Sequence, residues 1–109
     1  MAASWDEFER LNLRVGHITA VEDFPQARHP AYKLTIDFGP LGVRRSSAQL
    51  THYAKDDLLG RQVVCALGFV PKRIAGFESE VLVTGALSDA SGVVLLRPDH
   101  DVEPGSGVG

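Results

Sequence analysis

The sequence predicts an all-β fold, a closed five-stranded barrel with a short N-terminal helix and one internal helix. Three observations lead there. Five or six short apolar or alternating runs recur along the chain, clusters of Gly and Pro separate them, and only one internal stretch carries helix signals. A parallel α/β sheet would need a helix between most strands, so the barrel is the better match. At 109 residues the chain is read as one domain over 1–109, with room for a single modest core.

Each element has its own signal. Ser4 followed by Glu7 has the pattern of a capping box and predicts a short helix over residues 4–10, with Trp5 and Phe8 on one face. Leu13 and Val15 then fall on odd positions, Ile18 and Ala20 on even ones, and Gly16 stands at the changeover. A bulged, strongly bent first strand is expected at that glycine, as a small barrel requires. Tyr32, Leu34, Ile36 and Phe38 alternate with Lys33, Thr35 and Asp37, the pattern of a half-buried strand. Gly39 to Gly42 reads as a turn, and VRRSSAQL leads out of it as a third strand or strand-like arm. Thr51 is placed to cap a short helix over residues 52–59, which Gly60 ends. QVVCALGF reads as a continuous apolar strand, SEVLVTGAL as the fifth, and GVVLLRP as a short closing one. From about residue 104 the tail is expected to fray.

Composition narrows the functions. Eleven Lys and Arg against fourteen Asp and Glu give a net charge of −3, which argues against indiscriminate coating of nucleic acid and leaves the decision to local charge. The N-terminus has no apolar run fit for a signal peptide, and no segment approaches the roughly 20 apolar residues of a membrane span. A cytoplasmic protein without membrane insertion is expected, in keeping with the lone Cys65, which has no internal partner. His17, His29, His52 and His100 are scattered, with no pair at metal-ligand spacing, and Cys65 lies in an apolar run where a thiol is usually inert. Asp56-Asp57 and Asp99-His100-Asp101 read as solvated helix and tail. The phosphate-binding and nucleophile motifs of the common enzyme classes are missing. No catalysis, metal or cofactor is therefore expected.

The cations are placed more suggestively. Arg44-Arg45 follows one hairpin and Lys72-Arg73 another, while Lys33, Arg28, Arg14 and Arg61 lie near the barrel strands. The acids gather at the ends, as Asp6, Glu7 and Glu9 and then Asp99, Asp101 and Glu103. One such pair alone would merely solubilise a hairpin, but two on the loops of one small barrel predict an anion-binding face. Ile74 and Phe77 flank the glycine of the second loop and either pack beneath it or form a shallow apolar pocket with the cations as its rim.

The stretch LNLRVGHITAVEDFPQARHPAYKLTIDFG resembles the opening of the tRNA-binding-domain family, and SSAQL with PKRIAGFESEVLVTGA is similar to the branch of it that contains the export-related chaperone CsaA. The likeness runs from about Phe8 to Val102. It implies an OB-fold module of the kind that stands alone as a homodimer or is appended to aminoacyl-tRNA synthetases. It also implies that Lys72, Arg73 and Ser79 face RNA, supported by Lys33, Arg44 and Arg45, with phosphate taken by the cations and a neutral hydrogen bond offered by the serine. Asn12 stands where the family often has Asp, and its neutral amide loses any ion pair a carboxylate made there. The expected partner is tRNA, with a homodimer covering Trp5 and Phe8. The alternative is a chaperone for unfolded or export-bound polypeptides, with Ile74 and Phe77 as the peptide pocket.

Overall fold

The computed structural model describes residues 1–109. Helix α1 (Trp5–Leu11) opens the fold and carries the expected capping box: Glu7 N–H donates to Ser4 Oγ at 3.1 Å and Ser4 N–H donates to Glu7 Oε1 at 2.8 Å. The bond from the Ser4 backbone, with help from its hydroxyl, holds the Glu7 carboxyl below its ordinary pKa. The helix stops at Asn12, whose φ of 49° is left-handed, a conformation Asn tolerates better than most residues.

Along the chain follow β1 (Leu13–Asp23), β2 (Tyr32–Asp37), a 3-10 turn at Gly39–Leu41, β3 (Val43–Ala48), α2 (Lys55–Leu58) and β4 (Gln62–Ala66). The short strands β5 (Lys72–Ile74), β6 (Phe77–Ser79), β7 (Leu82–Val83), β8 (Gly85–Ser88) and β9 (Gly92–Leu95) complete it. Five strands form one antiparallel sheet in the order β3-β2-β1-β4-β7, while β5–β6 and β8–β9 are separate hairpins. The five-stranded sheet curls until its ends meet, where Ser46 Oγ on β3 donates to Val81 O next to β7 at 2.8 Å. This is the OB-fold-like barrel that the sequence predicts. Ile18, Leu34, Ile36, Phe38, Leu58 and Val63 fill it and are fully buried.

Four local expectations are corrected. The register of β1 on β2 slips between Ile18 and Ala20, so the unpaired residue is Thr19 and not Gly16. Gly16 is instead a close-approach glycine: a Cβ there would collide with Ile36 Cγ2 and stand 2.6 Å from Phe38 Cε1. The short helix begins at Lys55 with Ala54 at its cap, and Thr51 lies in an exposed turn before it. Tyr53 blocks an earlier start, because its carbonyl accepts from Tyr32 Oη at 2.8 Å and its own hydroxyl accepts from Leu95 N–H at 3.2 Å. The two long apolar runs are also shorter as strands. β4 ends at Ala66, since Leu67 and Gly68 turn to donate to the carbonyls of Asn12 and Leu11, and the next run divides at Gly85, where pairing passes from β4 to β9.

The tail is the fourth correction. Val15 N–H donates to Ser106 O at 2.9 Å, Gly105 N–H to Val15 O, and Val108 N–H to Leu13 O at 3.0 Å. Residues 105–108 therefore occupy the part of the β1 edge that β2 leaves free, and Val15 is buried although it faces away from the main core phase. Gln62 clamps the approach with both side-chain atoms, donating to Val102 O at 2.6 Å and accepting from its N–H at 3.0 Å.

Candidate nucleic-acid interface

Alternation on β2 sends Tyr32, Leu34 and Ile36 inward and leaves Lys33 on the outer face. Pairing sets Glu22 of β1 on one side of Lys33 and Ser47 of β3 on the other, with Arg45 one step along, opposite Thr35. The hairpin β5–β6 docks beside this face. Its two-residue turn, Ala75-Gly76, has φ of 46° and 81°, the primed geometry that tight hairpins favour. What the sequence presents as a basic loop is thus a paired hairpin, with Lys72 opposite Ser79 and Arg73 opposite Glu78.

Side-chain bonds fix the hairpin on β3. Ser79 Oγ accepts from Ser47 N–H at 3.0 Å and lies 3.3 Å from Ser46 Oγ; Glu80 N–H donates to Arg45 O at 2.8 Å, and Glu80 Oε1 accepts from Arg45 N–H at 2.9 Å. Because Ser46 Oγ gives its proton to Val81 O, the proton of Ser79 Oγ serves the bond to Ser46. The Ser79 hydroxyl, expected to face RNA, is engaged within the framework.

Phe77 resolves the choice left open by the sequence. It is only 9% exposed and packs with Phe24 and Ala31, with Ala27 and Ile74 at the edge, so Ile74 and Phe77 form a small second core and not an open peptide pocket. The two rings meet edge to face with centroids 5.4 Å apart. Above them sit the cations: Lys33 Nζ lies 4.8 Å from the Phe24 centroid and 5.3 Å from that of Phe77, and Arg45 Cζ lies 4.9 Å from Phe77. Cations over aromatic faces are attracted by the ring quadrupole and lose part of their rotamer freedom before any ligand arrives. Arg45 also donates from Nη2 to Glu22 Oε1 at 2.7 Å.

The structure brings Lys33, Arg45 and Lys72 to one side, since Lys72 shares the hairpin face of Phe77 and Ser79. Arg73 is exposed on the opposite face of the same hairpin, beside Glu78. Arg44 does not join the cluster. It has the inward phase of Ser46, stands opposite Ile36, and reaches back to Leu41 O at 3.4 Å. Phe24 and Glu22, which sequence reasoning passed over, are central to the site; the spacing of Glu22, Lys33 and Arg45 becomes informative only once the register is known.

At the other end of the barrel, Trp5, Phe8, Leu13, Arg14 and Val108 line a shallow groove, with Trp5 86% exposed. Asn12 Oδ1 accepts from Arg14 Nε at 2.9 Å there, so the amide keeps the contact that an Asp would make as an ion pair. Nothing in the fold gathers three His, Cys, Asp or Glu side chains at a spacing that would hold a metal ion. Burial pushes the Cys65 thiol up to about 12, which leaves it without nucleophilic thiolate near neutral pH. No helix is long and apolar enough to cross a membrane.

Comparison with known proteins gives a consistent picture. Residues 13–107 match the family described as "Putative tRNA binding domain". A solved structure of a CsaA chaperone protein from Picrophilus torridus is 45% identical, superposes with a TM-score of 0.93, and is covered over 100% of its length by 99% of this chain. A chaperone CsaA from Bacillus anthracis is also 45% identical, with a TM-score of 0.92 and 100% of both chains covered. Among curated sequences, a methionine–tRNA ligase of Thermococcus onnurineus is 40% identical over 103 residues, which are 94% of this chain and 14% of the ligase. The chain thus spans about one-seventh of the length of that relative.

Proposed function

The chain belongs to the tRNA binding domain family, and from that premise we propose that it binds structured RNA of the tRNA type, as a non-catalytic homodimer in the cytoplasm. The observation that carries the reading is the pair of cations, Lys33 and Arg45, held on the Phe24–Phe77 floor, with Lys72 on the hairpin face that carries Phe77. A guanidinium or ammonium already ordered on a ring loses less entropy when it meets a phosphate, so an acidic protein obtains polyanion affinity from few cations. Arg73 adds a freely exposed charge at the rim. The test is a titration of bulk tRNA against the protein over a series of salt concentrations. Micromolar or tighter binding at low salt, weakening linearly in log salt, is the expected result. Binding that ignores salt, or no binding at low salt, would refute the assignment.

The dimer rests on helix α1. Its seven residues include none that is buried, and helices this short need packing to persist. Trp5, Phe8 and the groove beneath them supply an apolar surface that a second copy would cover. Light scattering across a dilution series should give twice the chain mass at micromolar concentration, and Trp5→Asp should give the monomer. A parent chain that is monomeric throughout removes this part of the reading.

A second reading is favoured by the full-length likeness to CsaA chaperone proteins and by Phe69 and Val70, 50% and 89% exposed between β4 and β5. These residues, and not Phe77, would offer apolar contact to an unfolded or export-bound polypeptide. Competition between tRNA and a denatured polypeptide for the protein separates the readings: displacement at low concentration by the polypeptide alone favours the chaperone.

A further inference from the structure

The bulge at Thr19 has an electrostatic result. Before it, even-numbered residues of β1 such as Gly16 and Ile18 face the core; after it, Val21 packs against the core and Glu22 stands on the outer face opposite Lys33. One extra residue therefore delivers a carboxylate into the cluster of cations. Glu22 Oε1 takes a single hydrogen bond from Arg45 Nη2 at 2.7 Å, and the two side chains are 57% and 41% exposed. The same guanidinium lies over Phe77. The contact is one bond to one oxygen, whereas a phosphate can accept two parallel bonds from the guanidinium fork.

We infer that Glu22 is a built-in competitor for the phosphate that Arg45 would bind, a latch that occupies the guanidinium above Phe77 and limits RNA affinity. The inference rests on the RNA reading of this face. Exposed ion pairs contribute little and exchange readily, so the latch does not block the site. It subtracts one charge from the cluster until a ligand with several fixed phosphates engages Lys33 and Lys72 as well and draws Arg45 away. The polyanion is then released faster than it would be from an uncompensated patch, because a carboxylate is ready to take the guanidinium back.

The test is a double-mutant cycle with tRNA as ligand, using the parent chain, Glu22→Gln, Arg45→Gln and the double variant, each measured by fluorescence anisotropy over a salt series. Glu22→Gln should tighten binding about three- to tenfold and steepen the slope of log affinity against log salt by about 0.7–0.9, the value of one added phosphate contact. In the Arg45→Gln background the same change should alter affinity less than about twofold. An equal gain in both backgrounds would mean general charge repulsion, and no gain in either would mean an idle surface pair; both overturn the latch. Lys72→Ala with Arg73→Ala, measured alongside, keeps the two levels apart. If that variant loses affinity while Glu22→Gln changes nothing, the RNA face stands and the latch falls. If the parent binds no tRNA, or binds only denatured polypeptide, the RNA reading and the latch fall together. Melting curves should coincide for the parent and Glu22→Gln, whose side chain is exposed, while Arg45→Gln, which removes the contact over Phe77, should melt a few degrees lower and stay folded through the binding series.

Discussion

Phe77→Ala is expected to destabilise the protein by about 3 kcal/mol and to weaken RNA binding in the fraction that remains folded. The loss falls at the lower end for a buried aromatic because the Phe24–Ala31–Phe77 cluster is small and separate from the main core. Three losses coincide. The edge contact with Phe24 disappears, a cavity opens under Lys33 and Arg45, and the hairpin β5–β6 keeps only the Ser79 and Glu80 bonds to β3. For a domain of this size such a change lowers the melting temperature by roughly 10–20 °C. Urea and thermal melts measure it directly. A melting temperature within a few degrees of the parent would mean that Phe77 is not packed as described, and the open-pocket reading of Ile74 and Phe77 would return. Phe77→Leu separates packing from the ring itself, since Leu refills most of the volume but offers no π face to the cations.

How much of this was readable in advance follows from which residues lie close in sequence. The capping box and the β2 strand depend on neighbours within a few positions, and the structure has both where the local pattern indicates. The bulge was not, because Leu13 and Val15 imitate a core-facing phase. Val15 is buried on a segment of β1 whose edge is paired by residues 105–108, some ninety positions away, so its apolarity reports a second partner and not the main core. Gly16 then drew the bulge by its conformational freedom, although the space occupied by Ile36 and Phe38 is what requires it. The same distance hid half of the site. Lys33, Lys72 and Arg73 announced themselves as cations, but Arg44 and Arg45 point to opposite faces of β3, as adjacent strand residues must. Phe24 and Glu22 gain meaning only when β1, β2 and the hairpin are brought together. Ser79 follows the same logic: a serine in a basic stretch offers a donor, and only the fold shows that its hydroxyl is engaged with β3.

Lys72→Ala combined with Arg73→Ala should weaken tRNA binding at least about tenfold at moderate salt, with little effect on stability. Charge-assisted hydrogen bonds contribute about 1.5–3 kcal/mol each, so the loss of even one productive phosphate contact gives that factor. Both side chains are exposed, and neither forms an ion pair within 4 Å, so folding should change by no more than about 0.5 kcal/mol. The salt series carries more information than the affinity itself. Each phosphate neutralised adds about 0.9 to the steepness of the dependence on a duplex and about 0.7 on a single strand, so the double variant should be shallower by about one to two for each subunit engaged. The two residues need not contribute equally. Lys72 shares the hairpin face that carries Phe77 and lies on the side of Lys33 and Arg45, whereas Arg73 projects from the other face beside Glu78. Single substitutions should therefore rank Lys72→Ala as the more damaging if RNA lies across the β1–β2–β3 surface, and Arg73→Ala if it approaches the hairpin from its outer side. Unchanged affinity and unchanged slope in the double variant would leave β5–β6 as a solvated hairpin, and the exposed Phe69-Val70 segment would become the better candidate for what this protein binds.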